Sequence, residues 1–172
     1  MTRAVGSPYS GDRRRFLGLS LTGLLLSVPT ARAQSAAGAG HAHAQLPAAV
    51  SLPDEVAAAL RRGQPLVVMA SLDGCPHCRA AREQHLLPLL AQGLPIVQVD
   101  WRSDRALRDF SGAPTTHDQM IRRWGVSVAP TLLFFGPGGR EVAERMAGAY
   151  LPDFYGAYLE ARLEAGRRAI RG

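Results

Sequence analysis

Cys75 and Cys78 are the only cysteines in 172 residues. With no third thiol in the chain, their chemistry runs between the two or with a partner. Pro76 and His77 stand between them and Gly74 precedes them. A proline in the first turn of a helix forfeits no hydrogen bond and arrives with φ already set. The spacing therefore puts Cys75 at a helix start, over unpaired N–H groups and the positive end of the helix dipole, which favours a thiolate. His77 can add positive charge nearby. Cys78, three residues on, projects from the same helical face and lies within reach of a disulfide. The expected division of labour has Cys75 attacking a partner disulfide and Cys78 resolving the mixed disulfide. Asp73 would oppose a thiolate and is given no role.

Other uses of the pair fit less well. A staple between positions 75 and 78 closes a loop too short to remove much unfolded-state entropy. A structural zinc site lacks its second pair of ligands. A soft ion such as Cu(I), held by Cys75, Cys78 and His77, remains an alternative. His41 and His43 read as solvated linker residues, and no metal site is assigned. His85 and His117 stand among polar neighbours and read as solvated or capping residues.

The elements around the motif must present it. Pro65–Ala70 is an apolar, β-branched strand ending just before the motif. A helix follows through Ala80, Ala81 and Leu86, with Pro88 expected to kink or end it. Upstream, Ser51 and Asp54 suggest a capped helix running through Val56 and Leu60 to Gly63. Downstream, Ile96–Asp100 reads as a second strand, parallel to the first because a helix crosses between them. Residues 102–115 read as an irregular loop, either touching substrate or simply solvated.

Thr116–Trp124 has helical spacing, burying Met120, Ile121 and Trp124, with Gly125 as its stop. Val126–Phe135 and Arg140–Met146, joined through Gly136–Gly139, form an antiparallel hairpin. A last helix spans about 152–168, with Phe154, Tyr158 and Leu159 facing inward. The fold class is α/β: a central mixed sheet of parallel strands plus a C-terminal antiparallel hairpin, flanked by helices.

The formal charge is +6, and every basic group is an arginine. Five of the twenty arginines, with Asp12 alone against them, fall in residues 1–33; beyond that point 15 face 13 acids. So balanced a domain gives no ground for a nucleic-acid partner. Residues 1–33 themselves read as an export signal: Arg13-Arg14-Arg15, an apolar run from Phe16 to Val28, then Ala31-Arg32-Ala33 as a cleavage site. That run is shorter than the ~20 residues a membrane-spanning helix needs. Arg13-Arg14-x-Phe16-Leu17 is similar to a twin-arginine motif, although Asp12 and Gly18 depart from it; a general secretory signal is the alternative. Residues 34–50, rich in Ala and Gly, read as a flexible linker, leaving 51–172 as the folded domain. Export fits disulfide chemistry, which belongs outside the cytoplasm.

The region from Ser51 to Arg168 resembles the thioredoxin-like superfamily. The resemblance rests on Gly74-Cys75-Pro76-His77-Cys78, on Trp124-Gly125-Val126 leading to Ala129-Pro130-Thr131, and on Gly148 before the last helix. It is most similar to exported thioredoxin-like proteins associated with bacterial sulfur-oxidation systems. The resemblance implies a thioredoxin fold, a cis bond at Pro130 beside the cysteines, and an Ala129 backbone that pairs with an extended substrate. It also places Gly148 near that surface, where a side chain would obstruct the partner.

Motif, export signal and resemblance together lead to the expectation of a monomeric, periplasmic thiol–disulfide oxidoreductase, with no cofactor beyond the Cys75–Cys78 disulfide. It reduces disulfides of periplasmic proteins and is itself fed by a membrane electron donor. An oxidant that donates its disulfide is the alternative within this class. Two departures bear on mechanism. Met69 replaces the family's usual buried acid, and Gly74 replaces the Trp before the motif. The His77 dipeptide is that of strongly oxidising periplasmic enzymes, but the chain lacks room for their helical insertion.

Overall fold

Every residue of strand β1, Leu66–Ser71, is buried, so the strand must be covered on both faces. Its side chains alternate accordingly. Leu66, Val68 and Ala70 enter one apolar cluster; Val67 and Met69 enter another on the opposite face. The computed structural model describes residues 45–149 and 152–172. The export signal expected at 1–33, the histidines at 41 and 43, and most of the linker lie outside the described residues.

The main sheet has the order β2-β1-β5-β6, with β2 at Ile96–Asp100, β5 at Thr131–Phe135 and β6 at Glu141–Ala147. β1 pairs parallel with β2 and antiparallel with β5, and β5 with β6 is antiparallel. The mixed sheet thus has the arrangement read from the sequence. One face carries α1, Leu52–Arg61, and α4, His117–Arg123; the other carries α2, Pro76–Ala80, α3, Leu87–Ala91, and α5, Pro152–Arg171.

Several expectations are corrected. Of the two outcomes expected at Pro88, a kink or an end, the helix does not end. It passes through a π-helical turn at Ala81–Leu86 and continues as α3. A proline ring collides with the carbonyl four residues back, and a widened turn there gives it room. The loop at 102–115 contains a small antiparallel sheet, β3 at Ala106–Arg108 with β4 at Pro114–Thr116.

Part of the linker belongs to the domain. Ala48 bridges Gln98 on the free edge of β2, and Leu46 and Ala49 are buried. Ser51 caps α1 without a side-chain bond to the backbone; its hydroxyl donates to Asp54 instead. Glu55 instead ties down the chain leading into the helix, accepting the Val50 and Ser51 N–H groups at 2.8 and 3.3 Å. In α5 the inward stripe is Tyr155, Leu159 and Leu163, while Phe154 and Tyr158 are exposed. Four-residue spacing from Leu159 selects Tyr155, not its neighbour.

Candidate active site

Cys75 caps α2 at the C-terminal end of β1, with Gly74 before it at φ +70° in the tight turn. A residue with a Cβ is strained there. The Cys75 Sγ accepts the Cys78 N–H at 3.1 Å, a donor placed to hold negative charge on that sulfur. Both thiols are free. Cys75 is half-buried, Pro76 and His77 are exposed, and Cys78 has no exposed surface. Burial, with the Cys75 side chain adding to it, pushes the Cys78 thiol up to about 11. One sulfur thus faces outward and its partner lies beneath it, protonated at neutral pH.

The other predicted residues sit on the β5 side. The Ala129–Pro130 peptide bond is cis. Because Ala70 pairs with Thr131, the register brings Pro130 alongside Ser71, four residues before Cys75. Gly148 donates its N–H to the Pro130 carbonyl at 2.8 Å, and Ala129 packs on the same apolar cluster as Cys75 and Cys78. Gly148 has φ +84°, and a Cβ there would come no nearer than 3.9 Å to Val128. The backbone conformation therefore accounts for glycine at this position without any appeal to a partner.

On the β2 side lies a cleft of about 490 Å³ lined in part by Ser71, Cys75, Arg79, Arg82, Gln98 and Asp100. Arg82 is only 7% exposed. Its guanidinium donates to Gln98 Oε1 and to Ser71 Oγ, each at 3.1 Å. The Gln98 amide in turn donates to Asp100 Oδ1 at 2.6 Å. Burial works to raise the Asp100 carboxyl, but the hydrogen bonds and charges around it, the Gln98 amide and Arg105 among them, outweigh it and hold the group below its usual range. Arg82 was not among the residues singled out from the sequence. The available signal was its spacing: it stands four residues after Cys78, on the buried face of the same helix.

One of the two histidines is corrected. His117 is fully buried, not solvated. Its Nδ1 accepts the Asp100 N–H at 3.1 Å, so Nε2 carries the hydrogen and donates to the Ala49 carbonyl at 2.9 Å. It ties the chain before α1 to the end of β2 and takes no part in the dithiol. His85 stacks on Tyr155 with ring centroids 4.6 Å apart, and burial lowers its pKa. Among the described residues no three of His, Cys, Asp and Glu gather as a metal site.

A family model described as a thioredoxin-like domain matches residues 52–163. The chain belongs to this thioredoxin-like family. Solved thioredoxin-like structures are similar to it. An enzyme described as the DsbH oxidoreductase has 18% identity and a TM-score of 0.50, over 74% of this chain and 90% of that one. The Edwardsiella tarda protein Trxlp has 25% identity and a TM-score of 0.43, over 64% and 98%. A poplar thioredoxin h has 16% identity and a TM-score of 0.44, over 63% and 85%. No curated protein matches the chain. At these identities the DsbH oxidoreductase speaks for the thioredoxin-like fold alone, and its function is its own.

Proposed function

We propose that this thioredoxin-like protein is an exported thiol–disulfide oxidoreductase that reduces disulfides of periplasmic proteins. The observation that carries the reading is the pairing of a half-buried Cys75, whose sulfur accepts the Cys78 N–H at 3.1 Å, with a fully buried Cys78. The Cys75 thiolate attacks one sulfur of the partner disulfide, and the other sulfur leaves as a thiolate and takes up a proton. Cys78 gives up its proton and attacks the Cys75 sulfur of the mixed disulfide. The partner leaves with both thiols, and the Cys75–Cys78 disulfide holds the oxidising equivalents until a membrane donor returns two electrons. The protein acts as a monomer, and Ala129 and Pro130 offer backbone to an extended partner segment.

The test is equilibration of the purified protein with glutathione redox buffers, together with trapping by a Cys78→Ser variant. A reduction potential near about −270 mV and a stable mixed disulfide on Cys75 support a reductant. A potential near about −120 mV reverses the direction to an oxidant. Absence of any exchange with glutathione overturns the reading.

A further inference from the structure

The cleft beside Cys75 is not needed for pairing with an extended protein segment. It opens on the β2 side of the motif, whereas Ala129, Pro130 and Gly148 lie on the β5 side, and β1 separates the two. Its volume of about 490 Å³ is that of a small-molecule site, which typically runs to roughly 300–1,000 Å³.

Its charges are specific. Arg82 is 7% exposed, and among the described residues both hydrogen bonds it makes go to neutral oxygens, those of Gln98 and Ser71. Among the described residues no carboxylate forms an ion pair with it. A cation taken out of water without an anion is costly, and Nη1, which neither of those bonds engages, is a donor for an anion entering the cleft. Arg79 lines the same cleft, and so do Asp73 and Asp100. Asp100 is held ionised by its surroundings. The wall next to the nucleophile thus carries two cations and two anions.

A ligand with one carboxylate and one ammonium close to a sulfur matches that wall. Resting on the oxidoreductase reading above, we propose that the cleft is a subsite for small zwitterionic disulfides of the cystine type. The α-carboxylate meets Arg82 and Arg79, and the ammonium faces Asp73 and Asp100. Cys75 attacks one cystine sulfur, the cystine S–S bond breaks, and one cysteine leaves and is protonated. Cys78 then attacks Cys75 and releases the second cysteine. Two electrons pass from the dithiol to cystine, and the Cys75–Cys78 disulfide forms.

The experiment measures oxidation rates of the reduced protein by four disulfides: cystine, dianionic dithiodiglycolate, dicationic cystamine and neutral hydroxyethyl disulfide. Each rate is divided by that of dithiothreitol with the same disulfide, which removes leaving-group differences. Cystine should exceed hydroxyethyl disulfide by about tenfold or more, the scale of one charge-assisted hydrogen bond. It should exceed both singly signed analogues as well. Arg82→Met should collapse the cystine to hydroxyethyl disulfide ratio.

Because Arg82 is buried and its variant can misfold, Arg79→Gln provides the second test and should lower the same ratio. A further readout needs no disulfide. Iodoacetate should alkylate Cys75 faster relative to iodoacetamide in the native protein than in Arg79→Gln. Equal normalised rates for cystine and the neutral disulfide overturn the subsite while leaving the oxidoreductase reading intact. Dithiodiglycolate matching cystine overturns the zwitterion assignment. Failure of all four disulfides and of a protein disulfide overturns the oxidoreductase reading itself.

Discussion

The Cys78 N–H points at the Cys75 sulfur from 3.1 Å, while the Cys78 thiol itself is sealed from solvent. Burial is the main cause that pushes the Cys78 thiol to about 11 from an ordinary 9.0. Between those values the unfolded chain releases a proton that the folded, reduced protein keeps. The unfolded state binds fewer protons there, so unfolding becomes easier as pH rises.

Reduced protein should accordingly lose stability from about pH 9 to about pH 11, whereas the Cys78→Ala variant should lack this component of the decline. Urea midpoints across that range decide it. Parallel curves for the two proteins would show that the buried thiol is not the cause.

His117 is a structural fastener. Its two ring nitrogens bond backbone atoms of Asp100 and Ala49, and its ring has no exposed surface. His117→Ala leaves a buried N–H and a buried carbonyl without partners and should cost about 3 kcal/mol. It should also speed hydrogen exchange at the Ala49 amide, which bonds Gln98. Chemical denaturation and exchange together check this; a loss under about 0.5 kcal/mol would place His117 with ordinary surface residues.

Helix α5 offers a paired test. Tyr155 is buried and stacked on His85, and its neighbour Phe154 is 55% exposed. Tyr155→Ala should lower stability by about 3 kcal/mol or more, as aromatic truncation in a core does. Phe154→Ala should stay within about 0.5 kcal/mol. Thermal melts of the two variants suffice, and a reversed order would mean that α5 is rotated by one residue.

The strands and the dithiol were legible because their signals are local. A β-branched run, a glycine and Cys-Pro-x-Cys follow one another within a few positions, and the punctuation is unambiguous. His117 was not legible. Threonines, an aspartate and a glutamine surround it in sequence, and its partners are backbone atoms far along the chain. Arg82 hid for the opposite reason, since an arginine in a helix reads as solvated until the helix face beneath it is known. The β3–β4 hairpin has strands of only three residues, too short for alternation to register. Apolar character alone turns Phe154 and Tyr158 inward, where the phase of Leu159 and Leu163 decides.

The π-helical turn at Ala81–Leu86 works as an angular offset in the middle of a helix. Each residue of an α-helix advances the side-chain direction by about 100°, so the wider turn shifts the azimuth of everything after it. Upstream, the turn bearing Pro76, His77 and Arg79 is aimed by the sheet end and Gly74; downstream, Leu87, Leu89 and Leu90 are aimed by the core. Substitutions that repack one half need not re-aim the other. The chemistry of the exposed turn can diverge while the half-buried anchor stays as it is.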